Sequence, residues 1–202
     1  MMRIVCLDLE GVLVPEIWIE FSKATGIPEL SRTTRDEPDY DKLMRFRIDL
    51  LERHHLKLAD IQRVIGTMEP LPGALDFARS LRERTQLIIL SDTFSQFASP
   101  LMAKLGYPTL FCNSLEIAAD GAVAGYTLRQ RNGKLKSVEA LKTLNMRVFA
   151  AGDSYNDLAM IQAADSGALF RAPPAIKEQH PEVSAVEDYR GLLALVDAFL
   201  AE

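Results

Sequence analysis

Three apolar runs in this 202-residue chain end on oxygen-bearing side chains that could do chemistry. RIVCLD ends at Asp8, LIILSD at Ser91 and Asp92, and RVFAAGD at Asp153. A single Asp after a strand is weak evidence, because Asp also serves as an ordinary helix cap or turn residue. Three such ends are harder to assign to capping. Together they offer what phosphoryl transfer requires: a nucleophile, ligands for a divalent cation, donors for phosphoryl oxygens and an acid for the leaving group. Asp8 and Asp153 are hard oxygen ligands suited to Mg²⁺, which takes one or two carboxylates and fills its octahedron with water and substrate oxygen. Ser91 offers a hydroxyl, and the amides behind it open a helix whose positive end favours an anion. Glu10, two residues past Asp8 where the strand gives way to Gly11, returns to the same side as an acid and base. A lysine would complete the charge balance.

Such a constellation needs a frame that brings strand ends together. The three runs, with SGALF ending at Phe170, read as buried parallel strands. Helical patterns at 73–84, 94–105, 134–144 and 156–164 alternate with them, which predicts a doubly wound α/β sheet with ligands gathered outside the carboxyl ends of its strands. Two stretches interrupt the alternation. From Pro15 to about Leu71 the pattern is of three or more helices before the punctuation PLPG, an insertion after the first strand. From Leu110 to Leu128, two runs flank Asp120 and Gly121, a dipeptide suited to a tight hairpin turn, which predicts a β-hairpin flap. The expected division is a core of residues 1–14 and 72–202 with an inserted unit at 15–71.

Composition narrows the partners. Apolar residues make up 48% and charged ones 25%, enough to bury a sizeable core. The net charge of −5 works against a nucleic-acid partner, whose binding rests on clustered Lys and Arg. The opening run is too short to span a bilayer and carries Asp8 and Glu10, so a cytoplasmic protein with no membrane partner is expected. Cys6 and Cys112 sit in apolar runs and read as reduced, unpaired thiols, and the spacing of His54, His55 and His180 suggests no metal site.

At this point the residues carry a likeness. Asp8-Leu9-Glu10-Gly11-Val12, Ser91 after the second run, a lysine opening the next helix, and Gly152-Asp153-Ser154-Tyr155-Asn156-Asp157 resemble the four ordered motifs of the haloacid dehalogenase superfamily, over nearly the whole chain. The resemblance implies a Rossmann-like core and a covalent aspartyl-phosphate on Asp8. It implies Mg²⁺ held by Asp8, the backbone carbonyl of Glu10 and Asp153, with Asp157 supporting the metal shell. It further implies phosphoryl binding at Ser91, with Asp92 beside it among the substrate-binding residues, and a helical cap at 15–71. GKLKSVEALK is similar to the version of the motif in which Lys134 opens the helix, so Lys134 is preferred over Lys136. Within the superfamily, LDLEGVLVPEIWI, TTRDEPDYDKLM, LSDTF and AAGDSYND are similar to phosphoserine phosphatases, and especially to the branch that also acts as a homoserine phosphotransferase.

One residue points independently to a small charged substrate. On the helix from Tyr40 to His54, Tyr40, Leu43, Met44 and Leu51 define an apolar face with Arg47 in its middle, whereas Arg45 points away. An arginine on a buried face wants a carboxylate or phosphate; the bland alternative is a structural acid paired to it. The resemblance implies that Arg47 and Glu16 hold the substrate's carboxylate and ammonium, with Glu20 as the fallback for Glu16, and that Asn156 orients the phosphate or the lysine. Glu10 departs from the pattern, since most phosphatases of the superfamily carry Asp there. The extra methylene re-aims the acid and base by roughly an ångström, which motivates the expectation of transfer to an alcohol such as homoserine besides hydrolysis. The alternatives are a phosphatase of another small phosphomonoester and a phospho-acceptor signalling receiver, which would lack both the insertion and the GDxxND element.

Overall fold

The computed structural model describes residues 2–34, 36–37 and 39–202. Its strands are β1 (Met2–Leu7), β2 (Gln86–Phe94), β3 (Thr109–Ile117), β4 (Val123–Thr127), β5 (Met146–Gly152), β6 (Ser166–Phe170) and β7 (Ser184–Val186). They form one sheet in the order β4-β3-β2-β1-β5-β6-β7, parallel throughout except for β4, which runs antiparallel to β3. The helices are α1 (Ile17–Thr25), α2 (Tyr40–Arg53), α3 (Leu58–Thr67), α4 (Ala74–Arg84), α5 (Ser95–Lys104), α6 (Gly133–Thr143), α7 (Tyr155–Ala163), α8 (Pro174–Gln179) and α9 (Tyr189–Ala201), with a 3₁₀ turn at Pro28–Ser31.

β1 shows why a continuous apolar run reads as a central strand. Val5 and Leu7 face one apolar cluster, shared with α4, α5 and α9, while Ile4 and Cys6 face a second, shared with α6, α7 and α8. Both faces of the sheet are therefore covered, as parallel sheets require. From β1 the chain steps outward to β2 and β3, then returns to the other side of β1 at β5 and continues to β6 and β7. The strand order thus reverses between β1 and β5, the place where open α/β sheets bind ligands. Asp8 follows β1 and Asp153 follows β5.

The insertion after β1 consists of α1, the 3₁₀ turn, α2 and α3. Trp18, Phe21, Met44, Leu50, Leu51, Ile61 and Ile65 from these elements join the same apolar cluster as Val5 and Leu7. Asp39 caps α2 by accepting the Lys42 amide at 3.1 Å.

Two details differ from the sequence expectation. β2 does not end at Asp92 but runs to Phe94, and its pairing with β3 breaks register between Leu90 and Phe94. Ser91 and Asp92 consequently lie in an irregular stretch inside a strand, where the backbone departs from the ladder and re-aims its side chains. The flap is a hairpin, but its turn is not a two-residue one. Ala118 donates its amide to Ala122 and Gly121 donates to Ala118, so Asp120 and Gly121 (φ +88°) occupy the second half of a longer loop.

Candidate active site

Lys134 lies at the centre of the site. It is the second residue of α6, only 5% exposed, and its Nζ sits 2.7 Å from Asp157 Oδ1, 2.9 Å from Asp8 Oδ1 and 3.7 Å from Asp92 Oδ2. Lys136, two residues on, is exposed and paired with Glu139. Burial alone would lower the Lys134 pKa, but Asp157, Asp8 and Asp92 outweigh it and hold the ammonium well above its ordinary value. The lysine therefore stays charged. Asp8 is pushed well above the usual carboxylate range by burial and then by the Asp157 carboxylate, with Lys134 pulling the other way. One cation is shared among three carboxylates, two of them buried.

The GDSYND turn builds the acidic side of this cluster. Ser154 and Asp157 cap α7 reciprocally, and Asp157 Oδ2 accepts the amides of Asp153 and Ser154, both at 3.1 Å, and the Ser154 hydroxyl at 2.9 Å. Its other oxygen takes Lys134. The close approach explains Gly152: a Cβ there would stand 2.2 Å from Asp157 Cγ. Gly11 is required for the same kind of reason, since it has φ +76° and a Cβ on it would meet Asp153 Oδ2 at 2.4 Å. Asp8, Asp153 and Asp157 each offer a carboxylate oxygen within 4.8 Å of the others. Three hard donors around a single lysine leave an excess of negative charge, so the residues present fit a divalent cation.

Glu10 faces the insertion. Its Oε2 accepts the Ile17 amide at 2.8 Å, which ties it to the first turn of α1. Burial, reinforced by the nearby Glu16 carboxylate, pushes its pKa up to about 7 against the opposing pull of the Ile17 amide, Arg47 and the Thr93 side chain. A carboxyl poised there can both give and take a proton at neutral pH.

Arg47 is buried on α2 with its guanidinium 4.5 Å above the Trp18 ring. Nη2 donates to the Arg32 carbonyl at 2.7 Å and Nη1 approaches Met44 Sδ, while Nε has no partner among the described residues. Burial lowers its pKa to about 10, with Tyr40, Glu10 and Glu16 opposing. Glu10 and Glu16 lie close enough to act on the guanidinium, but neither forms an ion pair with it among the described residues. Glu16 precedes α1 and is close enough to influence both Glu10 and Arg47, whereas Glu20 is paired with Lys23 at 2.7 Å. Asn156, exposed at the start of α7, donates to Asp92 Oδ2 at 3.2 Å. Ser91 is buried, and its Oγ accepts the Thr93 amide at 3.2 Å.

The structure adds residues that the sequence reading had placed elsewhere or passed over. Tyr40, read only as part of an apolar stripe, donates its hydroxyl to the Asp92 carbonyl at 3.0 Å. Asn113 on β3, also buried, donates to the same carbonyl at 3.0 Å. Thr93 interacts with Glu10. The tyrosine hydroxyl was the available signal for the first; nothing in the local sequence marks the other two.

The model of the haloacid dehalogenase-like hydrolase family matches residues 2–165. This chain belongs to that family. Among its relatives, phosphoserine phosphatase ThrH of Pseudomonas aeruginosa is 56% identical over 95% of this chain and 93% of its own length. A phosphoserine phosphatase of Pseudomonas syringae is 54% identical, with 93% and 79% covered. The fold of this family member superposes on the crystal structure of a phosphoserine phosphatase in apo form with a TM-score of 0.78 at 23% identity, covering 96% of this chain and 98% of the other.

Proposed function

We propose that this family member hydrolyses O-phosphoserine through an aspartyl-phosphate on Asp8, with Mg²⁺ as cofactor. The observation that carries the reading is the buried Lys134 bridging Asp8 and Asp157, beside the acid cluster, with a carboxyl poised near neutrality two residues from Asp8. The relatives named phosphoserine phosphatase at 54% and 56% identity support the substrate.

In this reading an Asp8 oxygen attacks phosphorus and the P–O bond to serine breaks. Glu10 gives its proton to the departing serine oxygen, then takes one from the water that attacks the aspartyl-phosphate, and Asp8 is released with orthophosphate. Lys134 and Ser91 hold the phosphoryl oxygens, and Asn156 and Asp92 orient the lysine and the pocket mouth. Arg47 takes the substrate carboxylate and Glu16 its ammonium, an arrangement that would supply the partner Arg47 Nε lacks among the described residues. Asp8, the Glu10 carbonyl and Asp153 would hold Mg²⁺, with Asp157 backing the shell through Lys134 and the α7 amides. The ion supplies charge neutralisation at the transferring phosphoryl group. The insertion at 15–71 acts as the cap that excludes water.

A second acceptor follows from Glu10. Its carboxylate is tied to the Ile17 amide and set by a longer side chain than Asp, so hydrolysis of the aspartyl-phosphate is slowed and an alcohol such as homoserine competes with water. Phosphorus NMR with O-phosphoserine and Mg²⁺ tests both proposals. Orthophosphate is the expected product, with a phosphoester of homoserine when that alcohol is added. Orthophosphate alone would remove the transfer reading, and no turnover of O-phosphoserine would remove the substrate.

A further inference from the structure

The peptide unit between Asp92 and Thr93 is gripped from both ends. Its carbonyl accepts the Tyr40 hydroxyl at 3.0 Å and the Asn113 side-chain amide at 3.0 Å, using both lone pairs. Its N–H donates to Ser91 Oγ at 3.2 Å. The unit lies in the stretch where β2 loses register with β3, between the paired residues Leu90 and Phe94. Because a peptide is planar, with its C=O and N–H pointing opposite ways, the groups that fix the carbonyl also fix the direction of the amide.

The two gripping residues come from different parts of the fold. Asn113 belongs to β3, and its Oδ1 accepts the Arg129 amide at 3.0 Å, so it is locked into the hairpin side. Tyr40 is the first residue of α2, in the insertion. Its ring meets Tyr126 of β4 edge-on at 5.8 Å, and Tyr126 in turn donates its hydroxyl to Asp41. Insertion, hairpin and the Ser91 turn therefore join at one peptide plane.

We propose that Tyr40 is a positioning residue: by donating to the Asp92 carbonyl it orients the Ser91 turn, so that the phosphoryl pocket is complete only when the insertion is docked. The inference rests on the reading of Ser91 as a phosphoryl-binding group, but not on the identity of the substrate. Without the hydroxyl the carbonyl keeps one donor and the peptide gains freedom to rotate. Ser91 Oγ then loses a fixed donor and with it a fixed direction.

The test compares Tyr40→Phe with Tyr126→Phe, using para-nitrophenyl phosphate, a substrate without an amino-acid handle, and Mg²⁺. Tyr40→Phe keeps the ring contact with Tyr126 and removes only the bond to the peptide. The expected result is a kcat lower by about tenfold, the worth of one buried hydrogen bond. KM should stay within about twofold and orthovanadate should inhibit less tightly. Tyr126→Phe removes a bond between insertion and hairpin without touching the peptide, and kcat should stay within about twofold. Hydrogen exchange of the Thr93 amide should accelerate in Tyr40→Phe and not in Tyr126→Phe, a readout that needs no turnover. Equal losses of kcat in the two variants, or unchanged exchange at Thr93 in Tyr40→Phe, would overturn the proposal. A wild-type protein that cleaves para-nitrophenyl phosphate but leaves O-phosphoserine intact would overturn the proposed substrate and leave this comparison standing.

Discussion

Replacing Lys134 with Met tests the electrostatics of the site most directly. The change keeps an unbranched stem of similar reach and removes an ammonium that lies within 3 Å of both Asp8 and Asp157. Asp157 Oδ2 keeps its three donors from the start of α7, and Asp8 Oδ1 keeps the Leu9 amide at 2.7 Å. Among the described residues, however, neither carboxylate then keeps an ion-paired cation. Breaking a buried ion pair from one side costs about 3–5 kcal/mol, and Lys134 is too deeply buried for solvent to offset this. At about 2–4 °C per kcal/mol for a chain of this size, melting should fall by roughly 6–20 °C in chelator. The deficit also carries a pH signature. Asp8 has a folded pKa above its unfolded value, so its contribution is stabilising at low pH and is lost as pH rises through the folded value. Losing the lysine pushes that value higher still, so the gap to wild type should narrow as pH falls and Asp8 takes up its proton in both proteins. Calorimetric melts of both proteins over a pH series provide the measurement. A deficit below about 1 kcal/mol, or one that widens in acid, would refute the shared-cation account.

Three further outcomes follow from the same geometry. Gly152→Ala places a methyl 2.2 Å from Asp157 Cγ, so Asp157 must leave its present contacts; turnover should drop by at least about 100-fold while circular dichroism stays close to wild type. Glu10→Gln removes a carboxyl whose pKa rises from 4.5 to about 7. Such a group stabilises below its unfolded pKa and loses that contribution as pH rises through about 7, so the variant should show a flatter stability–pH slope between these values in chelator, by at most about 3 kcal/mol. Arg47→Met should raise KM for O-phosphoserine by at least about tenfold while kcat/KM for para-nitrophenyl phosphate stays within about threefold; steady-state kinetics on the two substrates separate a carboxylate clamp from a packing residue.

Much of the frame was legible because its determinants are local. The run RIVCLD is apolar on both faces, and the structure uses both, Ile4 and Cys6 toward one cluster and Val5 and Leu7 toward the other. GDSYND places Gly, Ser and Asp at the spacing a capping box needs, so its geometry follows from the order of residues. Arg47 stood out because a charge in the middle of an apolar stripe contradicts the pattern around it. The carbonyl clamp at Asp92 was not legible. It depends on Tyr40 and Asn113, 52 and 21 residues away, and on a register break in β2 that no local pattern encodes. Tyr40 satisfied the stripe with its ring, which concealed what its hydroxyl does. The short strand β7 escaped notice for a related reason: SAV, only three residues long, is too brief to show a period.

Asp157 uses one carboxylate for two ends. One oxygen closes the first turn of α7, and the other anchors the lysine that neutralises Asp8. A lineage drifting away from catalysis would therefore not be free to discard this residue, because its loss would fray a helix as well as unbalance the pocket. Sequence retention of Asp157 is accordingly a poor witness to activity.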